Sequence, residues 1–342
     1  MKAIVFRQHG GPEVLEYTNV PEPSIQPNAV LVRIRACALN HLDLWVRGGL
    51  PNVQIPLPHI PGSDVAGEIA AVGAEVSTVR AGQKVVLAPG VTCGKCPACI
   101  AGRDNECRQF TNLGYMIDGG CAEFVRVPEV NCLPYPENLS FEEAAAVPLV
   151  FQTAWHMLVG RAELQPGEDV LILGAGSGVG SAAIQIAKFF GARVIATAGT
   201  DQKLEKAREL GADHAINHKS QKIRNEVRRI TNKRGVDVVF EHVGTATWED
   251  SLASLAPAGR LVTCGATTGF DAKIDLRFLF SRQLSLLGSY MGTKSELHTV
   301  MKLVAAGRLK PVVDRVFPLA EAAAAHTYLE SSSQFGKVVL RV

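Results

Sequence analysis

Residues 168–290 alternate short apolar runs with segments of helical periodicity, and this alternation narrows the choice of fold more than any other feature. The first run, 170–173, is continuously apolar, which is typical of a strand buried on both faces. Further runs that indicate strands lie at 193–197, 215–216, 236–240, 260–263 and 284–287. Strands that alternate with helices form right-handed crossovers and a parallel sheet. The pattern therefore predicts an α/β domain with a doubly wound parallel sheet.

The first 135 residues show a different pattern, in which short apolar runs are cut by glycine and proline. Runs at 30–35, 65–72 and 85–87 indicate strands with frequent turns, as in a small barrel or irregular sheet. The strand-like run at 338–340 is not easily placed in the parallel sheet, so we expect the chain to return to the first domain near residue 290. The predicted domains are 1–150 with 291–342, and 151–290.

Four of the eight cysteines fall between residues 93 and 107, with the spacing C-x2-C-x2-C-x7-C. Four thiolates at this spacing can close a tetrahedral zinc site with no position left open. Iron–sulfur ligation uses a different final interval, and disulfides are disfavoured in a reducing compartment. We therefore expect one structural zinc in this segment, the zinc lobe, with four ligands: Cys93, Cys96, Cys99 and Cys107.

A glycine-rich turn at 174–180 lies directly between a predicted buried strand and a helix. Such turns bring the backbone close to a pyrophosphate, whose charge the helix N-terminus stabilises. The spacing departs from the G-x-G-x-x-G fingerprint, since Ala175 and Ser177 stand at its first two glycine positions. With further β–α alternations following it, the turn still predicts dinucleotide binding by Gly176, Ser177, Gly178, Val179 and Gly180.

The end of the second predicted strand distinguishes the two dinucleotides. An NAD site usually has a carboxylate there that binds the ribose hydroxyls. Here Ala198 ends the strand, and Thr200 and Lys203 follow. A hydroxyl and an ammonium suit a 2′-phosphate, so NADP(H) is favoured over NAD(H). Asp201 is the residue that would reverse this choice.

The zinc lobe, the glycine-rich turn and the segments 310–313 and 336–340 together resemble the medium-chain dehydrogenase/reductase superfamily over essentially the whole chain. The resemblance implies an α/β protein in which a Rossmann domain interrupts a GroES-like, mainly β catalytic domain. It also implies an active site in the cleft between the domains, and assembly as a homodimer or homotetramer.

The resemblance also separates two branches of the superfamily. Alcohol dehydrogenases hold a second, catalytic zinc at positions that here fall on Asn40, Ser63 and Leu149. An amide, a hydroxyl and an aliphatic chain are poor zinc ligands, so the chain is more similar to the quinone oxidoreductase branch. Retention of the zinc lobe is unusual for that branch. A substitute metal site stays open as an alternative, drawn from the nearby Cys37, His41, Asp43, His59 and Asp64.

These residues indicate how the reaction would run. Without a Lewis acid, hydride transfer to a carbonyl-conjugated double bond is easier than alcohol oxidation, because hydrogen-bond donors can stabilise the enolate oxygen. Asn40 is the first candidate donor and Ser63 the second. His41 would donate or relay a proton. Asp43 either orients Asn40 or His41, or accepts hydrogen bonds from backbone amides as a structural carboxylate.

The resemblance implies further contacts with the cofactor. Thr153 would touch the nicotinamide ribose, and Lys337 would reach the cofactor from the C-terminal tail. The remaining residues carried over would line the cofactor groove or flank the nicotinamide: Val243, Gly244, Gly265, Ala266, Thr267, Gly288 and Ser289.

Charge and hydropathy bear on partners and location. Lys and Arg total 35 against 33 Asp and Glu, which gives no reason to expect nucleic acid or an anionic membrane as partner. No stretch approaches the ~20 apolar residues of a membrane span, and residues 1–7 do not resemble a signal peptide, so we expect a cytoplasmic protein. Residues 219–234 are basic but lack aromatic side chains for base stacking.

Three functions remain at this point. The leading hypothesis is an NADPH-dependent reductase of quinones or α,β-unsaturated carbonyls, with a small carbonyl compound as substrate. The alternative is an NAD(P)-dependent alcohol dehydrogenase or aldehyde reductase. A more distant alternative is a cofactor- or RNA-binding protein without turnover.

Overall fold

A computed structural model describes all residues from 1 to 342, and the chain divides into two compact units. The β-rich unit comprises residues 1–149 and 293–342, and the α/β unit comprises residues 150–292. The sequence analysis places the corresponding boundaries at 150 and 291. No helix of the chain combines the length and apolar character that a membrane crossing requires.

The α/β unit contains six strands in one parallel sheet. The strands are β10 (Asp169–Ile172), β11 (Arg193–Ala198), β12 (His214–Asn217), β13 (Val236–Glu241), β14 (Leu255–Thr263) and β15 (Ser285–Gly288). The helices are α4 (Pro148–Trp155, which begins before the unit), α5 (Gly178–Phe189), α6 (Asp201–Glu209), α7 (Ile223–Ile230), α8 (Trp248–Ser254) and α9 (Leu276–Ser281). The sheet order is β12-β11-β10-β13-β14-β15, which is the doubly wound order of Rossmann domains.

Burial and capping explain why these residues form this sheet. Every residue of β10 is buried, as the continuous apolar run predicts for a strand covered on both faces. Ser177 caps α5 and Thr200 caps α6, each accepting a hydrogen bond from a backbone amide three residues later. Because all six strands are parallel, their carboxyl ends and the loops after them share one edge of the sheet, where such domains bind ligands.

The β-rich unit is organised around a seven-stranded sheet. The strands of the unit are β1 (Lys2–Val5), β2 (Glu16–Asn19), β3 (Ala29–Ala38), β4 (Asp64–Val72), β5 (Lys84–Leu87), β6 (Gly90–Val91), β7 (Thr111–Asn112), β8 (Phe124–Pro128), β9 (Cys132–Pro134), β16 (Val313–Pro318) and β17 (Lys337–Arg341). The helices are α1 (His41–Gly48), α2 (Pro97–Ile100), α3 (Phe141–Ala145), α10 (Lys294–Ala305) and α11 (Ala322–Glu330). The large sheet runs β16-β17-β3-β4-β5-β9, with β8 also paired to β3, and two-stranded ladders join β1 to β2 and β6 to β7.

The central strand β3 brings distant parts of the chain together at its C-terminal end. Ala38 is in register with Asp64 of β4 on one side and with Val339 of β17 on the other. The amide of Leu39 then donates to the carbonyl of Val338 at 2.8 Å. The strand-like tail therefore belongs to this sheet, and its first residue, Lys337, lies beside the loop that leads into α1.

Candidate active site

The four cysteines of the zinc lobe converge. Their Sγ atoms all lie within 4.8 Å of one another, and three separations are 3.5, 3.5 and 4.0 Å. Zn–S bonds of about 2.3 Å in a tetrahedron place the sulfurs roughly 3.8 Å apart, whereas a disulfide needs ~2.05 Å. All eight cysteines of the chain are free. The donor set fits a zinc ion and would leave it no open position.

The polypeptide around the lobe supports metal binding and connects it to helix α10. The backbone amides of Lys95 and Cys96 lower the pKa of Cys93 to about 6, whereas burial raises the pKa of Cys99 to about 11, so without a metal ion the four thiols differ in acidity. Asp104 accepts from the amide of Lys294 at 3.1 Å and from its Nζ at 3.0 Å, so a lobe carboxylate caps the first turn of α10. Ordering of the lobe therefore also fixes the start of this helix.

The glycine-rich turn crosses from β10 into α5 as the sequence predicts. Ser177 Oγ accepts from the amide of Gly180 at 2.9 Å. A Cβ atom on Gly180 would lie 2.3 Å from the carbonyl oxygen of Gly174, so only glycine fits this close crossing. The amides of Gly178 and Val179, at the start of α5, have no helical acceptors, and unpaired amides of this kind are what anions bind at helix N-termini. These residues are suited to hold the pyrophosphate of a dinucleotide.

Two side chains that the sequence analysis did not single out hold this turn in place. His242 Nε2 donates to the carbonyl of Leu173 at 2.9 Å, and burial lowers the pKa of His242, which favours the neutral ring. Thr197 Oγ1 accepts from the amide of Gly174 at 3.2 Å. Both belong to the ends of strands beside β10, and their position at strand ends is the signal that could have identified them.

Three basic side chains approach the end of β11. A Cβ on Gly199 would lie 3.0 Å from Lys219 Cε and 3.1 Å from His218 Nε2, and a Cβ on Gly176 would lie 3.0 Å from Lys203 Cδ. Burial and the charges of Lys219 and Lys203 lower the pKa of His218. We refer to Lys203, His218 and Lys219 as the basic cluster. Of its members, the sequence analysis named only Lys203 as a cofactor contact.

Asp201, the carboxylate that would favour NAD, accepts a hydrogen bond within the α/β unit. Its Oδ1 accepts from Asn217 Nδ2 at 3.0 Å, which connects α6 to the end of β12. Thr200 Oγ1 accepts from the amide of Lys203 at 3.4 Å and so caps α6. Thr200 is exposed, and its hydroxyl proton remains free to donate to a ligand.

A buried carboxylate organises the loop after β13. Glu241 is fully buried and accepts from the amides of Val243 and Gly244, at 2.6 and 3.1 Å, and from Ser251 Oγ at 2.5 Å. Gly244 has a φ of +95°, a conformation that favours glycine. This network holds two predicted cofactor residues, Val243 and Gly244, at the carboxyl edge of the sheet.

The other predicted cofactor residues of the α/β unit also follow strand ends. Thr267 Oγ1 donates to the carbonyl of His242 at 3.2 Å, in a loop after β14 that also contains Gly265 and Ala266. Gly288 ends β15, and its carbonyl accepts from Arg161 Nε at 2.9 Å. The structure thus places these residues at the edge where a dinucleotide binds in doubly wound sheets, and their contact with the cofactor stays a prediction.

Two buried hydroxyl groups in this unit have no hydrogen-bond partner: Thr153 Oγ1 on α4 and Ser289 Oγ after β15. A buried hydroxyl without a partner is destabilising by ~1–3 kcal/mol, so such atoms indicate where a polar ligand group would bind. Both were expected to face the nicotinamide end of the cofactor. The glycine-rich turn, the basic cluster and these two hydroxyls together fit a nicotinamide dinucleotide.

The β-rich unit contains a buried cluster of Asn40, Asp64 and Lys337. Lys337 Nζ donates to Asn40 Oδ1 at 2.5 Å and to Asp64 Oδ2 at 2.9 Å. Asn40 Nδ2 also donates to Asp64 Oδ2 at 2.9 Å, and the amide of Leu149 donates to Asp64 Oδ1 at 2.8 Å. Asn40 and Leu149 are two of the positions that the resemblance aligns with catalytic zinc ligands of alcohol dehydrogenases, and this alignment stays an expectation. The Lys337 ammonium contacts Asn40 and Asp64, and its predicted role at the cofactor stays a prediction.

The remaining candidate catalytic residues, Ser63, Asp43 and His41, each have partners outside this cluster or in its backbone. Ser63 is fully buried, and its hydroxyl donates to the carbonyl of Leu113 at 2.7 Å, which uses its only proton. Asp43 accepts from the amides of Asn40 and Gly62, at 2.7 and 2.9 Å, in agreement with the structural alternative. His41 begins α1, and its partly exposed ring packs edge-on against Trp45.

The residues considered for a substitute metal site do not converge. Cys37 lies in β3, with its Sγ 3.8 Å from Cys121 Sγ, while His41 begins α1. Cys37 and His41 therefore do not lie on one helix face. His59 packs against the ring of Phe6. The zinc lobe is the one group of three or more His, Cys, Asp or Glu whose ligand atoms lie within 4.8 Å of one another.

The pKa of Asp43 gives a testable pH dependence. Burial raises this pKa from 3.8 to about 6, against the opposing effects of the Asn40 amide and the Lys337 charge. Because the folded-state pKa is raised, the folded protein binds this proton more tightly than the unfolded chain does. The resulting stabilisation is complete below about pH 4 and is lost as the pH rises through about 6, a change of about 3 kcal/mol.

Urea unfolding of the wild type and of Asp43→Asn checks this expectation. The difference in unfolding free energy between the two proteins should move against the wild type by about 2.4 kcal/mol between pH 4 and pH 7. A difference that is the same at both pH values would show that Asp43 titrates normally.

Two family profiles match the sequence of the chain. Residues 26–137 match the alcohol dehydrogenase GroES-like domain, and residues 178–306 match the zinc-binding dehydrogenase family. A quinone oxidoreductase of Pseudomonas aeruginosa is 34% identical over 352 residues, which cover 99% of each chain. A solved structure described as an NAD-dependent alcohol dehydrogenase is 49% identical, with a TM-score of 0.97 and full coverage of both chains. A crotonyl-CoA carboxylase/reductase in complex with NADP is 28% identical, with a TM-score of 0.93 over 100% of this chain and 94% of that one.

A mainly β unit with a cysteine lobe and a doubly wound unit with a glycine-rich turn agree with the zinc-binding dehydrogenase profile and with these relatives. The chain belongs to the medium-chain dehydrogenase/reductase superfamily and is an oxidoreductase. The predicted α/β fold, with a Rossmann sheet and a GroES-like domain, is confirmed.

Proposed function

We propose that the protein is an NADPH-dependent reductase that transfers hydride to the β-carbon of quinones or α,β-unsaturated carbonyls without a catalytic zinc. The observation that carries this proposal is the Asn40–Asp64–Lys337 cluster. At the positions that the resemblance aligns with the catalytic zinc ligands of alcohol dehydrogenases, this chain has the amide of Asn40, the hydroxyl of Ser63 and the aliphatic Leu149. Asn40 is instead hydrogen-bonded to Asp64 and Lys337. Neither an ammonium nor an aliphatic side chain such as Leu149 is a zinc ligand.

The division of roles follows from the chemistry of conjugate reduction. When bound, the reduced nicotinamide supplies the hydride that is added to the β-carbon. Negative charge then develops on the carbonyl oxygen, and donors of the buried cluster are suited to stabilise it. His41 is partly exposed and able to supply the proton that completes the reduction. Alcohol oxidation would instead require removal of a hydroxyl proton without a Lewis acid.

NADPH is proposed over NADH because of the basic cluster. Lys203 and Lys219 offer positive charge, and the neutral ring of His218 offers a further donor, where a 2′-phosphate would lie, and Asp201 is already bonded to Asn217. The names of the relatives differ on this point, since one is described as NAD-dependent and another was solved with NADP.

We also propose a homo-oligomer in the cytoplasm. Strand β15 is an edge of the parallel sheet, and four exposed apolar side chains lie in the segment before it: Phe270, Ile274, Leu276 and Phe280. An edge strand beside exposed apolar surface favours association with a second copy. Eight free cysteines are consistent with a reducing compartment.

A co-substrate screen tests the proposed reaction. We expect the purified protein to oxidise NADPH with 2-cyclohexenone or 1,4-benzoquinone and to reduce NADP⁺ with benzyl alcohol at least about a hundredfold more slowly, since the alkoxide lacks a Lewis acid. The similarity to an alcohol dehydrogenase structure makes alcohol oxidation the alternative reaction that this screen must distinguish. Alcohol oxidation that a chelator abolishes would contradict the proposed function.

A further inference from the structure

The β-rich unit contains a cavity of about 720 Å³ that is separate from its zinc lobe and its candidate catalytic cluster. The walls come from β1, the segment after β2, the loop before β4, residues 116–119 and β8. Neither the lobe cysteines nor Asn40, Asp64 and Lys337 line it. Small-molecule sites usually occupy clefts of ~300–1,000 Å³, so this cavity, the β-unit cavity, has the size of a ligand site.

The lining of the β-unit cavity is mainly apolar. Its large apolar side chains include Val5, Val20, Ile60, Met116, Phe124 and Val125. Three exposed aliphatic side chains line the cavity or adjoin its lining in the sequence: Ile25, Leu57 and Ile117. Exposed apolar side chains grouped around a cavity are typical of a surface that an apolar molecule covers.

The charged side chains of the lining are all exposed and carry both signs: Glu22, Asp118 and Arg126. Asp118 Oδ1 accepts from the amide of Ile60 at 3.0 Å, and Arg126 Nη1 donates to the carbonyl of Ser24 at 2.9 Å. A charge on the ligand would therefore lose water against apolar walls without a buried counterion. Because burial of an unpaired charge is costly, the cavity suits an uncharged molecule.

His59 is the one buried polar side chain of the lining. It is 1% exposed, and its Nε2 has no hydrogen-bond partner. Burial lowers the pKa of His59, which favours the neutral ring. Asp118 Oδ1 lies 3.9 Å from Nδ1 and favours the proton on that nitrogen, so Nε2 is left as an acceptor. An N–H or O–H group of a ligand would satisfy this acceptor.

We propose that the β-unit cavity binds an uncharged, mainly apolar organic molecule that donates an N–H or O–H hydrogen bond to His59 Nε2. Burial of apolar surface against the walls supplies the affinity, and the unpartnered nitrogen selects molecules that carry a donor. All lining residues belong to the β-rich unit, so binding requires neither hydride transfer nor the proposed substrates.

Fluorescence of N-phenyl-1-naphthylamine, with NADP⁺ present throughout, tests the chemistry of this site. The probe is uncharged, carries one N–H donor and emits more strongly in apolar surroundings. Titration of the probe with wild-type protein should give a Kd of about 100 μM or lower. The anion 8-anilino-1-naphthalenesulfonate has the same rings with an added sulfonate and should bind at least about tenfold more weakly. Absence of binding of the neutral probe, or equal binding of both probes, would contradict the proposal.

Two substitutions that block the cavity locate the bound probe. Ile117→Arg introduces a long charged side chain, and Ser24→Trp fills the cavity from the segment after β2. Val130→Arg is the matched control, because Val130 is exposed in the same unit and outside the lining. Each cavity variant should raise the Kd for the neutral probe at least about tenfold, and the control should keep it within about twofold. Wild-type affinity in the folded cavity variants would overturn the site.

His59→Phe tests the hydrogen bond, because it keeps a ring and removes Nε2. Loss of one hydrogen bond should raise the Kd for N-phenyl-1-naphthylamine about three- to tenfold. The Kd for 1-phenylnaphthalene, measured by displacement of the probe, should stay the same because this molecule has no N–H. Equal effects on both molecules, or none on either, would overturn the role of His59. None of these measurements involves turnover, so they stand apart from the test of the proposed function.

Discussion

Replacing Cys107 by serine is expected to yield protein that lacks the lobe zinc and is cleaved by trypsin within residues 93–107. Cys107 is the most buried of the four ligands, and serine supplies no thiolate. Structural zinc contributes ~10–16 kcal/mol of binding free energy in small peptides, and this lobe has only α2 and one short 3-10 turn of its own. Without the ion, the segment should open and expose the bonds after Lys95 and Arg103.

Zinc content and limited proteolysis check this result. Cys132→Ser is a suitable control, because Cys132 lies outside the lobe in β9. The control should keep about one zinc per chain and the wild-type digestion rate. A Cys107→Ser protein that retains its zinc, or resists trypsin as the wild type does, would show that the four thiolates do not form the site.

The second large effect concerns the choice of cofactor. The double substitution Lys203→Ala and Lys219→Ala is expected to lower kcat/KM for NADPH by at least about a hundredfold and to change the value for NADH by less than about threefold. Two charge-assisted hydrogen bonds to a 2′-phosphate contribute ~1.5–3 kcal/mol each. NADH lacks the 2′-phosphate, so its binding does not depend on these bonds.

Steady-state kinetics with both cofactors measure this selectivity. Lys222→Ala removes an exposed positive charge just before α7, outside the basic cluster, and should leave the NADPH to NADH ratio unchanged. Equal losses with NADPH and NADH in the double variant would mean that the basic cluster does not recognise the 2′-phosphate. A wild type that prefers NADH would contradict the cofactor assignment itself.

The strands of the parallel sheet could be predicted from the sequence because they are buried on both faces. A strand covered on both faces leaves a continuous apolar run, as at 170–173, and helical periodicity between such runs fixes the alternation. The tail strand β17 has an equally clear run, but its neighbours β3 and β16 are not determined by local pattern. Its placement in the β-rich sheet follows from long-range pairing, which periodicity does not encode.

The candidate site could be predicted only in part, because local sequence patterns do not encode long-range pairing. The spacing of the four lobe cysteines encodes their function locally. The contact between Lys337 and Asn40 joins residues 297 positions apart and depends on the register of β17 against β3. His218 and Lys219 were missed because they follow β12, and only the adjacency of β11 and β12 brings them to the cofactor edge.

The location of zinc in crystals of the full-length protein tests the central claim most directly. Anomalous scattering at the zinc edge should show one peak per chain, among Cys93, Cys96, Cys99 and Cys107, with the Lys337 ammonium between Asn40 and Asp64. A second peak at coordination distance from Asp64, in protein purified without added metal, would contradict a reaction that runs without a catalytic zinc.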